Sequence, residues 1–202
     1  MNKRKTIKNL IFDVGGVVIF IKKINFALLD RKFKLPAGTI ERIIRACSRQ
    51  AVINKNFNER IFFEKRFPRL LSWKNYYRIL LEWFATERLN RWLIRWVERK
   101  RKTHRIILLT NYTAKLKWRL EKKFRIAHHF DSIFNSADIG IIKPNRGIFR
   151  YLLKNIKAKA GECLFVDDKE INIKTAKKLG FKTILFKNNQ QFKKQARKFR
   201  LT

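Results

Sequence analysis

Residues 8–20 read KNLIFDVGGVVIF. An apolar run of strand length stops at one carboxylate, Asp13, and turns almost at once through Gly15 and Gly16. A strand that ends this way places the acid at its C-terminal end, where open α/β sheets bind their ligands. A charged group beside so much apolar surface is costly unless it is paired or used. Taken alone, the stretch could equally be a strand followed by a solvated turn. The residues that follow separate the two readings.

From Ile24 to about Thr86 the pattern turns helical, with apolar positions such as Trp73, Tyr77, Leu80, Leu81 and Phe84 recurring at helical spacing. Pro36-Ala37-Gly38-Thr39 separates two helical pieces, and Thr39 with Glu41 and Glu59 with Arg60 mark first turns. Leu89, Trp92, Leu93, Trp96 and Val97 then share one stripe and Arg88, Arg91, Arg95, Arg99 and Lys102 another, predicting a basic amphipathic helix that packs on the core.

Beyond it, strands alternate with helices. Strands are predicted at 105–110, 132–135, 163–166 and 182–186, with helices at about 113–124, 147–155 and 169–179 and a basic terminal helix. Short apolar strands alternating with helices mean an α/β fold, a parallel sheet covered by helices on both faces. The predicted organisation is therefore a Rossmann-like core of residues 1–22 and 88–202, interrupted after its first strand by an all-helical insertion at 23–87.

Three strands end in polar residues where the next loop begins: Asp13, then Thr110-Asn111, then Asp167-Asp168. Gly140-Ile141-Ile142-Lys143-Pro144 adds a lysine held in a turn by the following proline. Carboxylates from two strands suit a hard cation such as Mg²⁺. One carboxylate can remain free to attack phosphorus, while a hydroxyl and an ammonium balance the phosphoryl oxygens. Singly these signals are weak, since Thr-Asn is a common helix cap and an Asp pair is commonly solvated. Their order and placement give them force.

Together these segments resemble the haloacid dehalogenase-like (HAD) superfamily, whose phosphatases carry four motifs in this order. FDVGGV resembles the first motif, LLTN the second, IIKPNRGIF the third, and FVDDKEINIKTAKKLGF the paired-aspartate form of the fourth. The likeness covers essentially the whole core, and the helical insertion lies where that family carries a helical cap. It implies that Asp13 is the nucleophile and a Mg²⁺ ligand, with the Gly15 carbonyl a further ligand. It implies that Thr110 and Asn111 hold the phosphoryl group, with Gly16 beside them, and that Lys143 neutralises charge. Asp168 would be the direct metal ligand and Asp167 would act through water or as a second ligand, an order the motif leaves open. Asn172 matches a loop-supporting position and reads equally well as a helix-surface residue.

One departure stands out. Most phosphatases of this superfamily have a second aspartate two residues after the nucleophile, as general acid and base; here the position is Gly15. Losing such a group typically costs about 10²–10⁴ in rate. A substrate with a good leaving group, such as a sugar 1-phosphate or an acyl phosphate, would need it least.

Composition bounds the rest. The 202 residues carry 50 Lys and Arg against 15 Asp and Glu, a formal charge of +35, spread along the whole chain. At 46% hydrophobic and 13% aromatic, this is the composition of a globular protein. The charge implies weak nonspecific polyanion binding and, by self-repulsion, a monomer; its origin can be compositional bias or selection for an anionic partner. Cys47 and Cys163 match no metal or redox spacing and read as reduced thiols. No apolar run reaches the ~18 residues of a membrane span, and the basic N-terminus lacks a leader's apolar region, so a cytoplasmic protein with no membrane partner is expected.

His128-His129 and the five tryptophans read as structural, whereas Lys22, Lys23, Asn54, Lys55, Asn56 and Lys74 are candidates to face a substrate. The leading expectation is a Mg²⁺-dependent phosphatase of a small phosphorylated metabolite, a sugar phosphate among the candidates, working through an aspartyl-phosphate on Asp13. The alternatives are a catalytically weakened member that binds nucleic acid or acts as a scaffold, motivated by Gly15 and the charge, and a metal-free 2-haloacid dehalogenase, which has no use for Asp167-Asp168.

Overall fold

A computed structural model describes residues 6–201. The basic residues 1–5, which open the predicted core segment, and Thr202 lie outside the described residues. In chain order the first elements are β1 (Asn9–Phe12) and β2 (Ile19–Phe20). Then come α1 (Phe26–Lys32), α2 (Thr39–Ala51), α3 (Glu59–Arg66) and α4 (Trp73–Ala85). The chain continues through β3 (Arg88–Leu89), α5 (Arg91–Lys100), β4 (Arg105–Thr110) and α6 (Leu116–Trp118). It is completed by β5 (Ser132–Asn135), α7 (Ser136–Ile139), α8 (Arg146–Ile156), β6 (Cys163–Asp167), α9 (Glu170–Lys178), β7 (Lys182–Leu185) and α10 (Asn189–Arg197).

The main sheet is parallel with strand order β5-β4-β1-β6-β7. β1 is central, and all four of its residues are buried because both faces are covered. Alternation sends Leu10 and Phe12 to one face, where they meet Leu93, Trp96 and Val97 of α5 and Phe192 of α10. Ile11 points to the other, with Ile148, Phe149 and Leu152 of α8. In register, Phe12 pairs with Leu108 and Val166, so the residues just after it and those that end β4 and β6 emerge at one edge.

Helices α1–α4 pack around a separate apolar cluster that includes Ile40, Ile43, Cys47, Phe63, Tyr76 and Ile79. Their ends are locally encoded. Asn25, Asn58 and Ser72 cap α1, α3 and α4 through side-chain oxygens. The α2 N-terminus follows Gly38 and is capped by the buried Asp30 carboxylate, which accepts from Gly38 N at 2.7 Å and Ile40 N at 2.9 Å. Among the described residues, no helix is long and apolar enough to cross a membrane.

The structure corrects the sequence reading in three places. The amphipathic helix begins at Arg91 and not at Arg88: Arg88 and Leu89 are extended, pairing antiparallel with Phe20 and Ile19. Asn90 starts the helix by accepting from Leu93 N at 3.2 Å, and it donates to Val17 O at 2.9 Å. This ribbon holds the entry to the helical insertion beside its exit. The helix predicted at 113–124 is a short α-turn that widens into a π-helix over Arg119–Lys123. A further short helix, α7, follows β5 directly.

A buried carboxylate anchors that widened turn to the end of the insertion. Glu87, after α4, accepts from Arg119 Nε at 3.0 Å, Lys123 Nζ at 2.7 Å and Tyr112 Oη at 2.9 Å. Burial pushes its pKa up, but the hydrogen bonds from Lys123 and Arg119 outweigh burial and hold the carboxyl below its usual range. Its contribution is therefore present above the ordinary carboxylate range and lost as pH falls through the depressed value. Glu87→Gln should lower unfolding free energy at neutral pH by roughly 3 kcal/mol, because Arg119 stays buried without its partner. The deficit should shrink on acidification; urea denaturation at two pH values measures both, and equal stability of the two proteins at neutral pH would remove Glu87 as an anchor.

Candidate active site

The edge where β1, β4 and β6 end collects the polar residues singled out above. Asp13, one residue past β1, is buried with 6% exposure, Thr110 ends β4, and Asp167 ends β6 at 0%. Between them lies Lys143, 3% exposed, with its ammonium 3.0 Å from Asp13 Oδ1 and 2.6 Å from Asp167 Oδ2. Its third contact is a hydrogen bond to Leu109 O at 2.9 Å. The ammonium thus has all three donors used, one toward each strand end.

Asn111 fixes where that lysine sits. Its side-chain amide donates to Lys143 O and its Oδ1 accepts from Lys143 N, both at 2.8 Å. The reciprocal pair clamps the lysine backbone against the end of β4, a task the sequence did not reveal. The Lys143–Pro144 peptide is cis.

The two aspartates of the last motif have different surroundings. Asp167 is saturated: Oδ1 accepts from Lys169 N at 2.8 Å and Asn172 Nδ2 at 3.0 Å, while Oδ2 accepts from Asn172 Nδ2 at 3.0 Å and from Lys143. Asn172 is itself buried at 2% exposure, which favours loop support over a helix-surface position. Asp168, by contrast, is exposed. One carboxylate oxygen from each of Asp13, Asp167 and Asp168 lies within 4.8 Å of the others.

Three carboxylates around one ammonium leave an excess of negative charge. Burial raises the Asp13 pKa above its ordinary value, opposed by Lys143 and reinforced by Asp167; Thr110 also hydrogen-bonds its carboxylate and lowers it. Partial desolvation raises that of Asp168, reinforced by Asp13 and Asp167. This all-oxygen cluster fits a small hard dication, which would relieve the repulsion.

The two glycines after Asp13 differ in what they permit. Gly16 has φ +76°, and a Cβ there would fall 2.5 Å from Asp168 Oδ2. Its amide donates to Ile19 O at 2.9 Å. A Cβ on Gly15 would meet nothing within 4 Å. Gly15 opens onto a cavity of about 220 Å³ lined also by Asn111 and Tyr112 and by Val52, Trp83 and Phe84 from the helical insertion. A second cavity of about 410 Å³ extends outward past Asn54, Lys55 and Asn56. Lys22, Lys23 and Lys74 line neither. Glu87, Tyr112 and Arg119 were missed by sequence reading, which had no motif to connect them.

A family model for haloacid dehalogenase-like hydrolases matches residues 7–180. The chain is a haloacid dehalogenase-like hydrolase. It is similar to the bifunctional epoxide hydrolase 2 of Mus musculus, 41% identical over 63 residues, which are 31% of this chain; it spans only 11% of that protein's length. It is 24% identical to the D-ribitol-5-phosphate phosphatase of Bacteroides thetaiotaomicron across 94% of this chain and 96% of that one. Among solved structures, a HAD family enzyme from the same bacterium, in complex with magnesium and inorganic phosphate, superposes with a TM-score of 0.71. That pair shares 23% identity over 90% of this chain and 94% of the other, a likeness of fold.

Gly16→Ala should destabilise the protein by about 1–3 kcal/mol, since it adds left-handed strain to the clash with Asp168. Gly15→Ala at the neighbouring position should change stability far less. Chemical denaturation of both variants measures the contrast, and equal midpoints would contradict both the strain and the clash at Gly16.

Proposed function

We propose that this hydrolase is a Mg²⁺-dependent phosphatase that transfers a phosphoryl group from a phosphomonoester to Asp13 and then to water. The observation that carries the proposal is Lys143 bridging Asp13 and the saturated Asp167 while Asp168 stays open beside them. The activity for which the Bacteroides phosphatase is named and the magnesium and phosphate held by the Bacteroides structure support it.

Asp13 and Asp168, with the Gly15 carbonyl, would hold the Mg²⁺, and Asp167 would act on it indirectly because its lone pairs are occupied. When bound, the ion supplies positive charge to the phosphoryl oxygens and orients the group. The Lys143 ammonium opposes the burial that raises the Asp13 pKa and so favours the ionised form, whose outer oxygen is the nucleophile. Attack forms an Asp13 O–P bond and breaks the ester P–O bond; the leaving oxygen departs with that electron pair and takes a proton from water. A second water then attacks phosphorus, releasing inorganic phosphate and restoring the carboxylate. Thr110 and the Asn111 backbone, with Gly16 nearby, bind the phosphoryl oxygens. Residues 23–87 act as a cap over the leaving group.

Gly15 leaves the first step without a protein acid, so leaving-group quality should govern rate. Aryl and acyl phosphates should turn over much faster than alkyl phosphates, and Gly15→Asp, which the open space accommodates, should narrow the gap by up to about 10²-fold. Asp13→Asn and EDTA should each abolish phosphate release, measured on a panel of esters. Retained turnover in Asp13→Asn would exclude it as nucleophile; equal rates for aryl and alkyl esters would exclude the missing acid as the limitation.

A further inference from the structure

The cavity onto which Gly15 opens is also lined by Asn111, so it adjoins the two segments that carry Asp13 and Thr110. Its walls are Ile19, Ile21, Val52, Trp83 and Phe84. Of its polar side chains, Glu87, Tyr112 and Asn111 are committed elsewhere, which leaves it the hydroxyls of Ser48 and Thr113, both shared with the wider cavity. Glu87 is 8% exposed and already accepts from Tyr112, Arg119 and Lys123. Tyr112 spends its hydroxyl hydrogen on Glu87, and Asn111 spends both side-chain atoms on the Lys143 backbone. The Trp83 indole N–H donates to Lys22 O at 2.8 Å, so this ring offers the cavity its apolar surface. The Arg119 guanidinium stacks 4.1 Å from the centre of the Phe84 ring, fixing that wall in place.

The wider cavity continues the same path. The two share Ser48, Trp83, Phe84 and Thr113, and the outer one adds Phe57, Trp73, Tyr77 and Leu80 before reaching a polar rim that includes Lys55, Arg60 and Lys115. A chain leaving the phosphoryl site would therefore run first along aliphatic and indole surfaces, then along aromatic ones, before meeting water.

We infer that the substrate is a phosphomonoester whose leaving alcohol or phenol is extended and apolar, bound in the slot that runs from Gly15 past Trp83 and Phe84 to Tyr77. A polyol in the inner part would exchange hydration for a lining whose polar groups, Ser48 and Thr113 apart, are already paired, leaving most of its hydroxyls unsatisfied. An apolar group loses nothing of this kind and gains from leaving water. The inference rests on the phosphatase reading, deepens it, and replaces a sugar phosphate as the expected substrate. With Gly15 supplying no acid, an apolar phenol fits both constraints, since phenoxide leaves with its electron pair more readily than alkoxide and then takes a proton from water.

The test compares two aryl phosphates of matched leaving-group reactivity, para-hexylphenyl phosphate and para-glucosyloxyphenyl phosphate, each with Mg²⁺ below any micelle concentration. The hexyl ester should show a kcat/KM at least about tenfold higher. Ser48→Trp, which adds bulk at an exposed position shared by the two cavities, should raise KM for the hexyl ester several-fold more than for unsubstituted phenyl phosphate. Equal or reversed preference, or equal effects of Ser48→Trp on both KM values, would overturn the apolar slot while leaving the phosphatase reading intact. If neither ester is hydrolysed, the phosphatase reading fails, and calorimetric titration with para-hexylbenzylphosphonate and its glucosyloxy counterpart still decides the slot. Tighter binding of the hexyl compound supports it, and equal binding overturns it.

Discussion

The Lys143 ammonium, held in a nearly water-free position against two aspartates and a carbonyl, is the contact on which the rest of the site depends. Isolating such a charge from water is expensive, and only close, fully used partners make it tolerable. Those partners come from the ends of three neighbouring strands, so the charge ties the sheet edge together while opposing the burial that raises the Asp13 pKa. Removing it would leave Asp13 and Asp167 facing each other in a low-dielectric pocket. The Asn111 clamp on the Lys143 backbone shows how the surrounding chain maintains the arrangement.

From that contact the division of labour follows. Lys143, Lys169 and Asn172 occupy the oxygens of Asp167, whereas Asp168 is exposed. Gly16 lets the backbone pass close to Asp168, and Gly15 leaves empty space two residues after Asp13. The helical insertion supplies Val52, Trp83 and Phe84 above this space, so its chemistry is set by packing between the two parts of the chain.

Much of this was legible in the sequence, for specific reasons. β4 and β5 lie at the predicted bounds, because a buried parallel strand writes itself as an unbroken apolar run between turn residues. The residues at the strand ends were legible as a group because one motif order brings them to one edge. β3 was not: two residues carry no periodicity, and Arg88-Leu89 is extended because of its partners Phe20 and Ile19. Nor was the difference between Asp167 and Asp168, adjacent and chemically identical, which depends on Asn172 reaching back five residues. The Glu87 anchor joins residues 25 to 36 positions apart without any repeated pattern, and only packing discloses it.

The central claim is that Asp13 carries the phosphoryl group during turnover. Rapid quenching of the enzyme with an aryl phosphate and Mg²⁺, followed by borohydride reduction and peptide mass analysis, tests it directly. An acyl phosphate at Asp13 is reduced to homoserine at position 13, and that is the expected product. Steady phosphate release with an unmodified position 13, or with the reduced residue elsewhere, would contradict the claim.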